Sequence, residues 1–215
     1  EVFDRNGLKI GEVGLVKHEH IGANDIPKMV VNAVVAAEDQ RYFSHGGVDY
    51  YGIIRAGVKG LLSGRFKQGG STITQQLAKN LYLSPTRNPM RKVKELLIAR
   101  RLEAALSKRR ILEIYLNMIE WGDGIFGCEA AARAYFGKSA AELSREESAL
   151  LAGAIINPRE LSPGHPTRRL LRRQQIVLRR MRSAGWLTAE QFSRASSEPL
   201  RLLAPRRVFR APHFT

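Results

Sequence analysis

Residues 69–80 read GGSTITQQLAKN, a glycine pair followed by a short helical pattern. Thr72 is in position to cap the helix, and Gln75, three residues later, completes a capping box. A glycine turn that leads into a helix N-terminus presents free backbone N–H groups, which suit a phosphate group. Thr72, Gln75, Gln76 and Lys79 recur at helical spacing, which predicts one polar, cationic face. A plain tight turn with an N-cap is the alternative, since the segment lacks the Gly-Lys-Ser/Thr ending of a Walker loop.

Upstream, residues 36–47 read AAEDQRYFSHGG and end an apolar helical pattern. Glu38 lies four residues after Val34 and seven after Val31, so its carboxylate falls on the apolar stripe of the helix. A carboxyl group that loses hydration has a raised pKa, which suits a proton acceptor that works near neutral pH. The alternative is that Glu38 and Asp39 only close the helix and pair with Arg41.

Downstream, residues 87–101 form a strongly basic segment. Arg91 and Glu95 are spaced i,i+4, which by itself predicts a surface ion pair of roughly 0.3–0.5 kcal/mol. Arg87, Lys92 and Lys94 extend this pair into a dense cationic edge beside one acid. Such an edge suits an anionic ligand, and a solvated basic helix is the alternative.

The remaining pattern predicts a mostly α protein. A hairpin with an Asn6-Gly7 turn opens the chain, and helical periodicity dominates from Ile26 onward. Besides the helix that Thr72 caps, helices are predicted at residues 26–38, 51–62, 89–107, 108–120, 128–136, 144–156, 167–183 and 188–196. Two further capping boxes are predicted, Ser144 with Glu147 and Thr188 with Gln191. The chain therefore divides into an entry segment (1–24), a main domain (25–198) and a linker-like tail rich in Arg and Pro (199–215).

The charge balance narrows the choice of partners. The 215 residues include 35 Lys and Arg against 20 Asp and Glu, for a net charge of +15. This predicts a polyanionic partner, which is nucleic acid, an anionic membrane surface or a phosphorylated substrate. No segment reaches the roughly 18 apolar residues of a membrane span. The chain begins at Glu1 rather than methionine, so we expect the natural N-terminus further upstream. The single cysteine, Cys128, excludes an internal disulfide framework.

Three of these stretches, in this order, resemble the motifs of the peptidoglycan glycosyltransferases. They are Glu-Asp-x-x-x-Phe-x-His-x-Gly from Glu38 to Gly47, Gly-Gly-Ser-Thr-Ile-Thr-Gln-Gln-Leu-x-Lys-Asn at 69–80, and Arg-Lys-x-x-Glu from Arg91 to Glu95. Residues 108–117, which read KRRILEIYLN, resemble a fourth block, and residues 173–181 resemble the fifth and least specific. The family comprises monofunctional transglycosylases and the N-terminal domains of bifunctional class A penicillin-binding proteins.

The resemblance implies a mainly α, two-lobed, lysozyme-like fold, with a small membrane-facing lobe between the first two blocks. It implies transfer of a growing glycan from its undecaprenyl-pyrophosphate carrier to the 4-hydroxyl of lipid II. This reaction forms β-1,4 glycan strands with inversion and releases undecaprenyl pyrophosphate. The implied location is the extracytoplasmic face of the bacterial cytoplasmic membrane, with an N-terminal transmembrane helix outside this chain as the anchor.

By position, the resemblance makes Glu38 the catalytic base and Glu95 a second catalytic acid near the donor pyrophosphate. The residues that it places against substrate or pyrophosphate are Asp39, Arg55, Ser71, Gln75, Gln76, Lys79, Arg87, Arg91 and Lys94. Because pyrophosphate is a good leaving group, the site needs cationic neutralisation rather than a strong acid. A divalent cation, Mg²⁺ or Mn²⁺, is a candidate near Glu95, and no organic cofactor is expected. The expected partners are lipid II, the growing glycan, an anionic membrane surface and other cell-wall synthesis proteins, without nucleic acid.

Two other functions compete with this interpretation. A nucleic-acid-binding helical domain would explain the charge, but the sequence lacks evident base readers and stacking aromatic rows. A lytic enzyme of the same architecture would not need the cationic residues between Lys79 and Lys94. Residues 120–127 are more typical of the monofunctional enzymes, whereas residues 3–7 and 211–214 are more typical of a class A domain, so this choice stays open. No Ser-x-x-Lys motif occurs, which predicts no penicillin-binding activity in these residues.

Overall fold

Helices dominate the computed structural model, which describes residues 2–3, 9–11, 17–22, 25–63, 70–83, 89–200 and 202–203. The helices are α1 (Lys28–Glu38), α2 (Tyr50–Ser63), α3 (Ile73–Tyr82), α4 (Pro89–Ala105), α5 (Lys108–Met118), α6 (Cys128–Phe136), α7 (Arg145–Ala154), α8 (Arg168–Ser183) and α9 (Ala189–Ser197). Short 3-10 helices lie at Tyr42–Ser44 and Ala140–Glu142. The strands are β1 (Val2–Phe3), β2 (Lys9–Gly11), β3 (Lys17–His18), β4 (Glu120–Gly122) and β5 (Ile125–Phe126). The prediction of a mainly α protein is confirmed.

Local hydrogen bonds fix where several of these helices begin. In each predicted capping box a side-chain oxygen accepts from the third backbone N–H of the helix, and the Glu or Gln reaches back to the cap. All three boxes form as predicted: Thr72 with Gln75 at α3, Ser144 with Glu147 at α7, and Thr188 with Gln191 at α9. These starting points depend on neighbouring residues alone, which is why the sequence predicts them.

The core forms around α1, which packs against both α7 and α8. Val30 and Val34 of α1 are buried with Leu150 and Leu151 of α7 and Leu178 of α8. Next to this layer, α3 packs against α4 and α5. Helix α1 therefore ends, at Glu38, between the α7–α8 layer and the α3–α5 layer.

A three-stranded sheet holds the entry segment against the body of the protein. Strands β4 and β5 pair antiparallel, and β3 adds to β5 in parallel. Beyond β3, the Ile21 backbone N–H donates to Asn117 Oδ1, and Asn117 Nδ2 donates to the Ile21 carbonyl, both at 2.8 Å. The end of the entry segment is thus part of the main packing. Strands β1 and β2 pair antiparallel as a hairpin requires, while the predicted Asn6-Gly7 turn lies outside the described residues.

The start of the predicted linker-like tail is packed rather than free. Leu200 and Leu202 lie against the core, and the Leu203 backbone N–H donates to the Tyr135 carbonyl at 3.0 Å. The Leu203 side chain also covers Gly137, at the C-terminal end of α6. The prediction of an unpacked tail from residue 199 is therefore wrong for these leucines, because they supply apolar surface that the core can bury. Residues 201 and 204–215 lie outside the described residues.

Helix α2 presents an apolar face to solvent. Its exposed apolar and aromatic residues are Tyr50, Tyr51, Ile53, Ile54 and Val58. The Ile54 side chain is 66% exposed, an unusual position for isoleucine in a globular protein. Throughout the described part of the chain, no helix combines the length and apolar character needed to cross a bilayer.

Candidate active site

Glu38 is the last residue of α1 and is partly buried at its C-terminal end. Its Oε2 accepts a hydrogen bond from Gln76 Nε2 of α3 at 2.8 Å. Burial raises the pKa of Glu38 above its ordinary value and is the largest influence. The Gln76 hydrogen bond and the charges of Arg173 and Arg180 oppose this rise in pKa, whereas the charge of Asp39 adds to it. The predicted carboxyl with a raised pKa is confirmed, and such a group is suited to accept a proton near neutral pH.

Two arginines of α8 flank Glu38, and neither is among the predicted site residues. Arg173 Nε donates to the Gly153 carbonyl of α7 at 2.7 Å, and one guanidinium nitrogen of Arg180 donates to the Ala36 and Ala37 carbonyls, both at 3.0 Å. Arg180 therefore satisfies backbone oxygens at the C-terminal end of α1. Burial lowers the pKa of both arginines, and the Glu38 carboxylate partly restores it.

The sequence carried a weak signal for these two arginines. Arg173 and Arg180 are seven residues apart, which is about two helical turns and puts both on one face of α8. That spacing identifies a cationic face but gives no indication of the carboxylate it meets, because Glu38 is more than a hundred residues away in the chain.

Asp39 holds three segments together directly beside Glu38. Its two carboxylate oxygens lie 2.9 and 3.0 Å from His45 Nε2, and Oδ2 also accepts from the Ile73 backbone N–H at 3.2 Å. Thr72 Oγ1 adds a 2.6 Å hydrogen bond to the Gly47 carbonyl. We call these contacts the Asp39 clamp, since they tie the end of α1, the loop at 45–47 and the start of α3 together. The alternative in which Asp39 pairs with Arg41 is wrong, because Arg41 contacts Asp49 instead, at 3.4 Å.

Two predicted substrate contacts, Asp39 and Gln75, are buried and engaged by the protein itself. Gln75 is 1% exposed, and its Oε1 accepts from the Thr72 backbone N–H at 3.0 Å as part of the capping box. Asp39 is occupied by its clamp. A substrate that touched Asp39 would have to displace these bonds, whereas Gln75 Nε2 is buried without a hydrogen-bond partner among the described residues. The predicted polar, cationic face is correspondingly split: Thr72 and Gln75 point inwards, whereas Lys79 is exposed.

The cationic edge of α4 contacts the start of α3. Lys92 Nζ donates to Ser71 Oγ at 3.0 Å and to Glu95 Oε2 at 2.7 Å. Arg91 Nε lies 3.5 Å from Glu95 Oε1, so the predicted i,i+4 pair is present. Glu95 itself is buried, and Lys94 is exposed. The structure thus brings Ser71, Arg91 and Glu95 into one cluster.

Of the other predicted cations, Arg55 lies on a different helix from that cluster, and Arg87 lies outside the described residues. Arg55 is on α2, exposed, with its guanidinium 6.0 Å from the Tyr51 ring centre. The charge of Arg55 makes a minor contribution to lowering the pKa of Arg180, which lies beside Glu38. Arg87 falls in residues 84–88, which lie outside the described residues.

The surroundings of Glu95 do not fit a divalent cation. Both carboxylate oxygens already face a cationic side chain, Arg91 on one and Lys92 on the other. Within the described ranges no three His, Cys, Asp or Glu side chains come together as metal ligands. Mg²⁺ binding usually needs carboxylates together with phosphate oxygens and water. Mg²⁺ or Mn²⁺ near Glu95, a candidate from the sequence, therefore stays an untested prediction.

Known proteins are similar in sequence to this chain over most of its length. A family model described as Transglycosylase matches residues 6–182. Penicillin-binding protein 1A of Aquifex aeolicus is 44% identical over 200 residues, which cover 93% of this chain and 28% of the relative. A biosynthetic peptidoglycan transglycosylase of Thiobacillus denitrificans is 48% identical over 166 residues, which cover 77% of this chain and 71% of the relative. The chain spans about a quarter of the length of the penicillin-binding proteins it matches.

A solved structure supports the same fold. The 2.6 Å crystal structure of penicillin-binding protein 1A from Haemophilus influenzae superposes with a TM-score of 0.56 at 25% identity, covering 94% of this chain and 20% of that chain. The expected fold class, a mainly α domain like the glycosyltransferase domain of these proteins, is confirmed.

Proposed function

Because the chain belongs to the transglycosylase family, we propose that it polymerises lipid II into β-1,4 glycan strands during bacterial cell-wall synthesis. The observation that carries this proposal is Glu38, a partly buried carboxyl group with a raised pKa, hydrogen-bonded on one oxygen and flanked by cations. A base of this kind suits removal of a proton from a sugar hydroxyl.

The proposed reaction is a single displacement at the anomeric carbon of the donor sugar. Glu38 takes the proton of the acceptor 4-hydroxyl, and the electron pair of that oxygen forms the new bond to the donor C1. The bond between C1 and the pyrophosphate oxygen breaks, and its electron pair leaves with undecaprenyl pyrophosphate. Attack opposite the leaving group inverts C1 and gives the β linkage. One positioned base contributes about 10² to 10⁴ in rate, so orientation and charge stabilisation supply the rest.

The cationic edge of α4 is the proposed site for the departing pyrophosphate. Lys94 is an exposed residue of the same helix that carries Arg91, Lys92 and Glu95. Positive charge placed where negative charge develops stabilises the transition state without a separate general acid. In this arrangement Glu95 holds the cationic side chains in place through its two ion pairs, and Lys79 on α3 adds a further exposed cation.

The proposed location is the extracytoplasmic surface of the cytoplasmic membrane, where a lipid-linked substrate resides. Helix α2 offers the apolar face that such a surface accommodates, with Tyr51 and Ile54 among its exposed residues. Amphipathic helices of this kind lie in the interfacial region of a bilayer. Other cell-wall synthesis proteins are proposed partners on the same ground of location.

Incubation of the protein with labelled lipid II, followed by gel separation of products, tests the proposed activity. The wild type is expected to form a ladder of glycan polymer, and Glu38→Gln to lose it by at least about a hundredfold. Glu190→Gln on α9 is the matched control, since this carboxylate is 84% exposed and pairs with the exposed Arg194. Full polymer yield from Glu38→Gln would contradict the assignment of the base. Shortening of added glycan without polymer would indicate the lytic alternative.

A further inference from the structure

A hydrogen-bonded chain runs from the interior of the protein to one oxygen of Glu38. The Tyr115 hydroxyl of α5 donates to Gln76 Oε1 at 2.8 Å, and Gln76 Nε2 donates to Glu38 Oε2 at 2.8 Å. Tyr115 is fully buried on the core side of α5. Its hydroxyl is therefore fixed by packing, whereas Gln76 is a partly exposed side chain that needs such a partner.

The direction of this chain follows from the chemistry of its members. An ionised carboxylate only accepts hydrogen bonds, so the Gln76 amide must turn its nitrogen towards Glu38. The amide oxygen then faces Tyr115, whose hydroxyl must donate. Burial raises the pKa of Tyr115 well above its usual range, so this hydroxyl keeps its proton near neutral pH. The Tyr115 hydroxyl, at the buried end of these two hydrogen bonds, thus remains a donor.

We propose that Tyr115 is a positioning residue for the base: it holds the Gln76 amide with its nitrogen on Glu38 Oε2, which leaves Glu38 Oε1 to take the proton from the acceptor hydroxyl. The proton-transfer half of this statement rests on the proposed function, whereas the orientation of Gln76 and its effect on Glu38 do not. Tyr115 touches neither the reacting atoms nor any substrate in this arrangement and acts only through Gln76.

Without the Tyr115 hydroxyl, the Gln76 amide oxygen has lost the hydrogen-bond donor that favours this orientation. Turned around, Gln76 presents its oxygen to Glu38, and only a protonated carboxyl group can donate to that oxygen. The flipped amide therefore favours the protonated acid, the inactive form of a base. Since the Gln76 hydrogen bond lowers the pKa of Glu38, its loss leaves burial less opposed and moves this pKa upwards.

Other groups around Glu38 act in ways that Tyr115→Phe leaves unchanged. Arg173 and Arg180 of α8 favour the ionised carboxylate, and Asp39, at the end of α1 itself, disfavours it. Helix α7 contacts this cluster through the Gly153 carbonyl, which accepts from Arg173. All four groups stay in place when the phenol becomes a phenyl ring, so a change in the titration of Glu38 reports on the amide.

The test compares Tyr115→Phe with Tyr135→Phe. Tyr135 is also buried, but its hydroxyl faces the Trp121 carbonyl at 3.5 Å and is not connected with Glu38. With ¹³C-carboxyl-labelled glutamate, the Glu38 signal is identified by its absence in Glu38→Gln and followed by NMR over pH. We expect a higher titration midpoint in Tyr115→Phe than in wild type and an unchanged midpoint in Tyr135→Phe. An unchanged midpoint in Tyr115→Phe would overturn the proposal.

Kinetics add a readout that depends on the proposed function. The acid limb of kcat/KM against pH is expected to move to higher pH in Tyr115→Phe, with about a tenfold loss on that limb and little loss on the plateau. In a Gln76→Ala background, Tyr115→Phe should cause no further loss, since Tyr115 acts through Gln76. An equal loss at every pH, or full additivity with Gln76→Ala, would reduce Tyr115 to a packing residue. If wild type makes no polymer while the NMR shift is present, the proposed function fails and the orienting role stands.

Discussion

At the level of single residues, burying the ionised Glu38 carboxylate lowers the free energy of unfolding of the protein. Burial is the largest influence on its pKa and raises it, so the folded protein binds this proton more tightly than the unfolded chain. The stability that this group contributes is complete below its unfolded pKa, which is near 4.5, and is lost as the pH rises through the higher folded pKa. Sites that activate a carboxyl group commonly carry such a penalty.

This penalty predicts opposite effects of Glu38→Gln on stability and on activity. The neutral amide avoids the cost of burying a charge, so we expect a higher Tm than wild type at pH 8. The gain should shrink as the pH falls towards 4.5, where Glu38 of the wild type becomes protonated too. Thermal unfolding at a series of pH values measures the difference, with Glu190→Gln as a control that leaves Tm unchanged. A lower Tm at pH 8 would mean that the Gln76 hydrogen bond and the arginines outweigh burial.

At the level of elements, the Asp39 clamp fixes the end of α1 against the start of α3. His45 and Asp39 are both buried, and the Ile73 backbone N–H belongs to the first turn of α3. Gly47, whose carbonyl accepts from Thr72, has a φ of 85°, and a Cβ there would lie 3.0 Å from the Ala99 carbonyl oxygen. The close approach of α4 thus explains why glycine stands at this turn.

Breaking the clamp is expected to cost more stability than breaking a surface pair nearby. Asp39→Ala leaves His45 and the first turn of α3 without their buried acceptor, for an expected loss of about 3–5 kcal/mol in the free energy of unfolding. Arg41→Ala removes the more exposed contact to Asp49 and should cost about 1 kcal/mol or less. Urea unfolding of both variants gives the comparison. Similar losses from the two changes would show that the clamp adds nothing beyond an ordinary surface contact.

The same elements show what a sequence can and cannot predict. Capping boxes and the i,i+4 pair of Arg91 and Glu95 depend on residues within one helical turn, and all of them form. The apolar stripe predicts the burial of Glu38, because the stripe must face a core. The contacts of Arg180 with the end of α1, and of β3 with β5, join residues more than a hundred positions apart. The periodicity of the sequence does not predict these contacts, since they arise only when the helices and strands pack together.

At the level of the whole molecule, the charge and the apolar face of α2 both suit the partner proposed above, an anionic membrane surface. A net charge of +15 attracts an anionic lipid surface, and each Lys or Arg near that surface contributes about 1 kcal/mol. The attraction is long-ranged and weakened by salt. The exposed Ile54 and Val58 act only on contact, and salt does not weaken their insertion. The two contributions are therefore separable by experiment.

Vesicle co-sedimentation separates them. We expect the protein to bind phosphatidylglycerol-containing vesicles at low salt and to be released as salt rises, with much weaker binding to pure phosphatidylcholine. Ile54→Ser with Val58→Ser should weaken binding about tenfold at every salt concentration and leave Tm unchanged, because both side chains are exposed in the folded protein.

Leu171→Ser on α8, another exposed apolar side chain, is the matched control and should bind as wild type does. Equal weakening by Leu171→Ser would show that exposed apolar surface in general, rather than α2, docks the protein. Binding that is insensitive to all three serines but abolished by salt would leave charge as the sole attraction, and α2 would need another partner.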